Sequence, residues 1–83
     1  TASRKMSFKD KHALETLPAR IAALEQEIAR LNAVLANPDL YVKQPAQFAA
    51  ATKALDAAQT TLAEAEEQWL ALEMLREELA TNG

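Results

Sequence analysis

Large aliphatic residues recur along the first half of the chain at alternating intervals of three and four positions. This first apolar stripe runs without interruption through Leu14, Leu17, Ile21, Leu24, Ile28, Leu31 and Leu35. Such spacing places the side chains on one face of an α-helix and is typical of a coiled coil. The pattern therefore predicts a long amphipathic helix over this half of the chain.

The second half carries a matching stripe in which larger residues alternate with alanine. Its members are Phe48, Ala51, Leu55, Ala58, Leu62, Ala65, Trp69 and Leu72. If the chain folds back on itself, the stripes meet when paired residue numbers sum to 82 or 83, so that Leu17 faces Ala65. A small residue opposite a large one lets two helices approach closely. The same sum pairs Phe8 with Leu75, and we expect this pair to close the end of the interface.

Two prolines separate the stripes and define the turn of the hairpin. Pro38 and Pro45 cannot donate a helical hydrogen bond, and each disfavours helical dihedral angles in the residue before it. We therefore predict a loop over residues 37–45 between helices of about 8–36 and 46–80. A connection this short favours antiparallel neighbours. The predicted fold is all-α, an antiparallel two-helix coiled-coil hairpin.

The start and the interior of the first helix carry further signals. Ser7 is a good N-cap residue, so we place the helix start directly after it. Pro18 lies inside the first stripe, where it removes a helical hydrogen bond and crowds the preceding turn, so we expect a kink or a break there. The predicted organisation is a flexible basic lead-in over 1–6, a coiled-coil domain over 7–80 and a tail over 81–83.

Composition supports long helices and argues against a catalytic role. The 83 residues include one glycine, one histidine and no cysteine. Disulfides and thiolate metal sites are therefore excluded, and a glycine-rich phosphate loop cannot be built. No stretch approaches the roughly 18 consecutive apolar residues of a membrane helix. We expect a non-catalytic domain that holds no cofactor or metal and does not enter a membrane.

Charge is distributed unevenly along the chain. Residues 1–13 have a balance of +3, whereas residues 14–83 have a balance of −6, which together give the net charge of −3. The basic residues of the opening segment are Arg4, Lys5, Lys9 and Lys11. Two interpretations stay open. The segment either contacts phosphates, with weak and strongly salt-dependent affinity, or it is a solvated end attracted to Glu73, Glu77 and Glu78.

Two motifs resemble those of a known family. Met-Ser-Phe-Lys-Asp-Lys at 6–11, followed by Leu-Glu-Thr-Leu-Pro at 14–18, is similar to the opening of the C-terminal coiled coil of Uup-type ABC-F ATPases. The Asn-Pro-Asp-Leu-Tyr turn at 37–41 also looks like that family. These are bacterial proteins with two ATP-binding cassettes and no membrane domain. Phe8 stands where the family usually has tyrosine, and Asp10 where glutamate is common.

The resemblance implies a function for the domain and a context for it. The chain would be cut from a longer, cytoplasmic protein whose ATPase machinery, with ATP and Mg²⁺, lies upstream. The domain itself would be a non-catalytic C-terminal accessory domain that binds DNA, or structured RNA, with DNA favoured. Lys9 and Lys11 carry over from the matched motif as nucleic-acid-binding residues, and we add Arg4 and Lys5 on electrostatic grounds.

Two other roles stay open. The acidic remainder and the apolar residues Met74, Leu75 and Leu79 are also compatible with a protein-interaction arm that docks on the parent's ATPase domains or on ribosomal protein. Self-association through the same end is the third possibility, although we expect a monomer in isolation.

Overall fold

The computed structural model describes residues 6–82. Within this range lie three helices, α1 (Phe8–Leu35), α2 (Pro38–Lys43) and α3 (Pro45–Asn82). The folded hairpin, which we call the arm, measures 62 × 17 × 17 Å. For comparison, a helix with the 38 residues of α3 is about 57 Å long. The arm is therefore as long as α3, with α1 folded back along it. The predicted all-α antiparallel hairpin is confirmed.

Packing between α1 and α3 follows the two predicted stripes, and we call their interface the seam. Every member of both stripes is buried or half-buried. The buried residues of the seam are Leu17, Leu31, Ala58, Ala65 and Leu72. Leu17, Ala65 and Leu72 form one core cluster, against which Leu14 and Trp69 also pack. Because Leu17 and Ala65 share this cluster, the structure agrees with the predicted register.

The helix α1 begins at its predicted cap and continues through its internal proline. The Ser7 hydroxyl accepts a hydrogen bond from the Asp10 amide at 3.1 Å, which satisfies one of the free donors of the first turn. Pro18 is exposed and lies inside the continuous helix, so α1 does not break there. The reason is that proline removes only one backbone bond, while Leu17 and Ile21 on either side pack into the seam.

The tip of the hairpin contains α2 where the sequence predicted only a loop. The Asn37 side chain accepts from the Asp39 amide at 3.0 Å, and Pro38 occupies the first turn, where its missing donor costs nothing. The Tyr41 ring meets Phe48 edge-on, with ring centroids 5.1 Å apart. Local capping and this aromatic contact together hold α2 against the start of α3.

Candidate nucleic-acid interface

The first turns of α1 carry the two predicted site residues that the structure describes, Lys9 and Lys11. Both side chains are exposed. Arg4 and Lys5, the other two predicted residues, lie outside the described range. Successive helical residues are about 100° apart around the axis, so Lys9 and Lys11 point in different directions rather than forming one cluster.

Phe8 lies on the outer surface of α1, which corrects its predicted pairing with Leu75. Its side chain is 86% exposed. The register sum gives a level along the arm but ignores the angle around the helix. Counting about 100° per residue, Phe8 lies at least about 120° from the seam residues Leu14 and Leu17. The half-buried Asp10, four residues before Leu14, lies on the seam side instead.

Phe8 is the centre of an exposed face that also contains Lys9, Lys11 and His12, which we call the Phe8 face. Around the helix axis, Phe8 is about 60° from Lys11 on one side and about 100° from Lys9 on the other. His12 follows at i+4 and therefore lies beside the ring. The Phe8 face thus presents an aromatic ring between two ammonium groups, with the carboxylate of Glu15 one turn further on.

The acidic end of α3 does not neutralise these lysines through ion pairs. Among residues 6–82 the ion pairs are all within single helices, and they are Glu27–Arg30, Asp39–Lys43 and Glu73–Arg76. Glu73 is thus paired with a neighbour on its own helix rather than with Lys9 or Lys11 across the seam. Both ammonium groups remain available to an external anion.

The ion pair of α1 that the structure describes, Glu27–Arg30, is remote from the Phe8 face. Arg30 donates two hydrogen bonds to the Glu27 carboxylate, and this bonding lowers the pKa of Glu27. The pair is exposed and lies near the tip half of α1, so it adds little stability. It therefore has no bearing on the charge of the Phe8 face.

Other kinds of site find no support in the described part of the chain. Across residues 6–82 no three histidine, aspartate or glutamate side chains come together in a way that could hold a metal ion. Over the same range, none of the helices is long and apolar enough to cross a bilayer. Of the apolar residues considered for protein docking, Met74 is exposed, whereas Leu75 and Leu79 are half-buried.

Sequence reasoning identified the lysines but missed Phe8 and His12 as members of the same face. The signal was present, because the helical angle between Phe8 and the first stripe can be counted from the sequence. Helical angles could not predict whether the lysines form ion pairs with Glu73, Glu77 or Glu78, because such pairs depend on where the side chains of two helices lie in space.

Comparisons with known proteins agree with the resemblance in the motifs. A family model described as the ABC transporter C-terminal domain matches residues 5–74, a range that includes the Phe8 face. The ATP-binding protein Uup of Caulobacter vibrioides is 46% identical over 78 residues, which cover 94% of this chain. The chain spans only 13% of the length of that relative. No solved structure matches the chain.

Proposed function

The chain belongs to the ABC transporter C-terminal domain family, and from this we propose that it is a non-catalytic accessory domain that binds nucleic acid, with DNA favoured over structured RNA. The observation that carries the proposal is the pair of exposed lysines, Lys9 and Lys11, which no carboxylate within residues 6–82 engages in an ion pair. Arg4 and Lys5 extend the same basic segment in sequence.

The charge distribution supports binding at one end of the arm only. Residues 14–83 carry a balance of −6, so phosphates are repelled from most of the surface and attracted to the basic opening segment. Few cations are involved, and binding should therefore be weak and strongly dependent on salt. Each phosphate contact contributes about 0.9 to the slope of log affinity against log salt concentration.

The parent protein is part of the proposal as well. By its family we place this domain in a cytoplasmic ATPase that uses ATP and Mg²⁺ in its upstream cassettes. We assign no step of that reaction to residues of this chain, and the domain's contribution is to hold the parent on nucleic acid.

Charge removal tests the phosphate contact directly. We expect Lys9→Gln combined with Lys11→Gln to weaken binding to a fluorescent DNA duplex and to lower the salt slope by about 1.8, because two phosphate contacts are lost. Fluorescence anisotropy at about 50 and 200 mM salt measures both quantities. A stem-loop RNA in parallel assays tests the preference for DNA.

The matched control removes two lysine charges from a different part of the arm. Lys43 and Lys53 are exposed and lie in the tip half of the arm, and Lys53 lies at a level about 30 Å from Lys9 along the axis. Lys43→Gln with Lys53→Gln should leave affinity nearly unchanged. Equal losses in the two double variants would show a general charge effect and would refute contact at the basic end.

A second candidate function is a protein-docking arm, and one observation favours it. Leu70 and Met74 are 54% and 61% exposed and lie one turn apart on α3, so they form a small apolar patch. Binding of the parent's isolated ATPase domains, measured with Leu70→Ser and Met74→Ser, tests this role. Loss of that binding with nucleic-acid affinity intact would favour the docking function.

A further inference from the structure

Within residues 6–82, Phe8 differs from the other Phe, Tyr and Trp residues in that its ring packs neither into the seam nor against another ring. Trp69 packs against the core cluster of the seam, Phe48 is half-buried, and Tyr41 stands edge-on to Phe48. Phe8 is 86% exposed. Its ring therefore contributes little to the stability of the hairpin, and its position between two lysines calls for an explanation in terms of binding.

We propose that Phe8 stacks on an unpaired base, and that the domain binds nucleic acid containing unpaired bases in preference to a fully paired duplex. This inference rests on the proposed nucleic-acid function and specifies its ligand. An aromatic side chain can stack on any base, because every base has a π-face, but the base must first be free of its own neighbours. In a continuous duplex both faces of each base are covered.

The geometry of the Phe8 face fits one strand rather than two. Lys9 and Lys11 lie on opposite sides of the ring, about 100° and 60° away around the helix axis. A base stacked on Phe8 therefore has an ammonium group on each side that can contact the phosphates of its own strand. Such a combination of cations and an aromatic platform is the common way in which proteins hold single strands without sequence preference.

Charge also distinguishes the Phe8 face from the exposed apolar patch on α3 at the same end of the arm. Leu70 and Met74 on α3 have Glu66, Glu67, Glu73, Glu77 and Glu78 at helical neighbour positions three or four residues away. Those carboxylates repel phosphate, so the α3 patch is unsuited to a nucleic acid. Phe8 instead has Lys11 three residues away and His12 four residues away, with Lys9 next to it in sequence. This basic surrounding favours a polyanion as the ligand of the Phe8 face.

The test compares a single-stranded oligothymidylate with a blunt-ended, fully paired DNA duplex. Binding of each to the full chain is measured by fluorescence anisotropy. Phe8→Ala should weaken single-strand binding about fivefold or more, since stacking on one aromatic residue is worth at least that factor. Binding to the fully paired duplex should change less than twofold. The Phe8→Trp variant should bind the single strand as tightly as the unsubstituted chain or more tightly.

Two controls separate stacking from simple apolar contact and from misfolding. Phe8→Leu keeps apolar bulk without a π-face and should lose as much affinity as Phe8→Ala. Met74→Ala removes an exposed apolar side chain at the same end and should have no effect. Because Phe8 is so exposed, none of its variants should shift the thermal unfolding midpoint measured by circular dichroism.

A spectroscopic readout reports stacking independently of affinity. In a Trp69→Phe background, Phe8→Trp provides the single tryptophan. Its fluorescence should be quenched by the single-stranded oligonucleotide and not by the fully paired duplex. Equal quenching by both would overturn the preference for unpaired bases.

Failure of this inference is distinguishable from failure of the proposed function. If the lysine double variant weakens binding but Phe8→Ala changes single-strand and duplex affinities equally or not at all, stacking is refuted and phosphate contact stands. Full retention of single-strand affinity by Phe8→Leu likewise refutes stacking. If no variant changes affinity for any nucleic acid, both proposals are wrong. Tight binding of the Phe8→Leu variant to a protein partner would then show that the Phe8 face is a protein-docking surface.

Discussion

Replacing Leu17 by alanine should destabilise the hairpin strongly, because this side chain is a buried member of the core cluster. Leu17 is 5% exposed and packs with Ala65 and Leu72. A buried Leu→Ala change removes apolar contact and leaves a cavity, at a cost of about 2–5 kcal/mol. The small partner Ala65 cannot fill the space that is left, whereas solvent beside a two-helix seam can enter it. We therefore expect a loss of about 2–3 kcal/mol at Leu17.

The assay is urea unfolding followed by circular dichroism, with the same substitution at an exposed leucine as control. Leu70 lies on α3 and is 54% exposed, so Leu70→Ala should change the free energy of unfolding by no more than about 0.5 kcal/mol. If the Leu17→Ala chain is unfolded without denaturant, Leu17→Met gives a measurable intermediate, at less than about 1.5 kcal/mol. Similar losses at Leu17 and Leu70 would refute the assignment of the seam.

The remaining predictions concern the backbone of α1. Pro18→Ala should raise the free energy of unfolding by about 1–3 kcal/mol. Pro18 is exposed within a continuous helix, where proline is about 3 kcal/mol less favourable than alanine. A decrease in the free energy of unfolding in the same urea assay would show that the proline is needed for the path of α1. Ser7→Ala should cost about 1 kcal/mol through loss of the hydrogen bond to the Asp10 amide. Ser7→Asp should retain the cap, and equal stability of the two variants would contradict that role.

The hairpin and its register could be read from the chain because both depend on local periodicity. The 3.6-residue period of the helix determines which residues share a face, so the alternating spacing of the first stripe defined one side of α1. Pro38 and Pro45 limited where the helices could end. Alanine opposite leucine then allowed one register, and the shared cluster of Leu17 and Ala65 agrees with it.

The angle of Phe8 was also contained in the sequence, although the register sum alone misplaced it. Pairing by residue number finds which residues lie at the same level along the arm, but only helical angle tells which of them face the partner helix. Phe8 meets the first condition and fails the second, which is why it is exposed beside Lys9 and Lys11.

Other features were decided only when the helices packed. Local rules allowed either a kink or a break at Pro18, and the burial of Leu17 and Ile21 against α3 holds the helix together there. At the tip, the Asn37 cap and Pro38 start α2 locally, and the contact of Tyr41 with Phe48 holds it against α3. Whether Lys9 and Lys11 would be neutralised across the seam likewise depended on side-chain positions in two helices. The sequence therefore determined the stripes, the turn and the charges, whereas tertiary packing decided how the turn closes and which charges are left exposed.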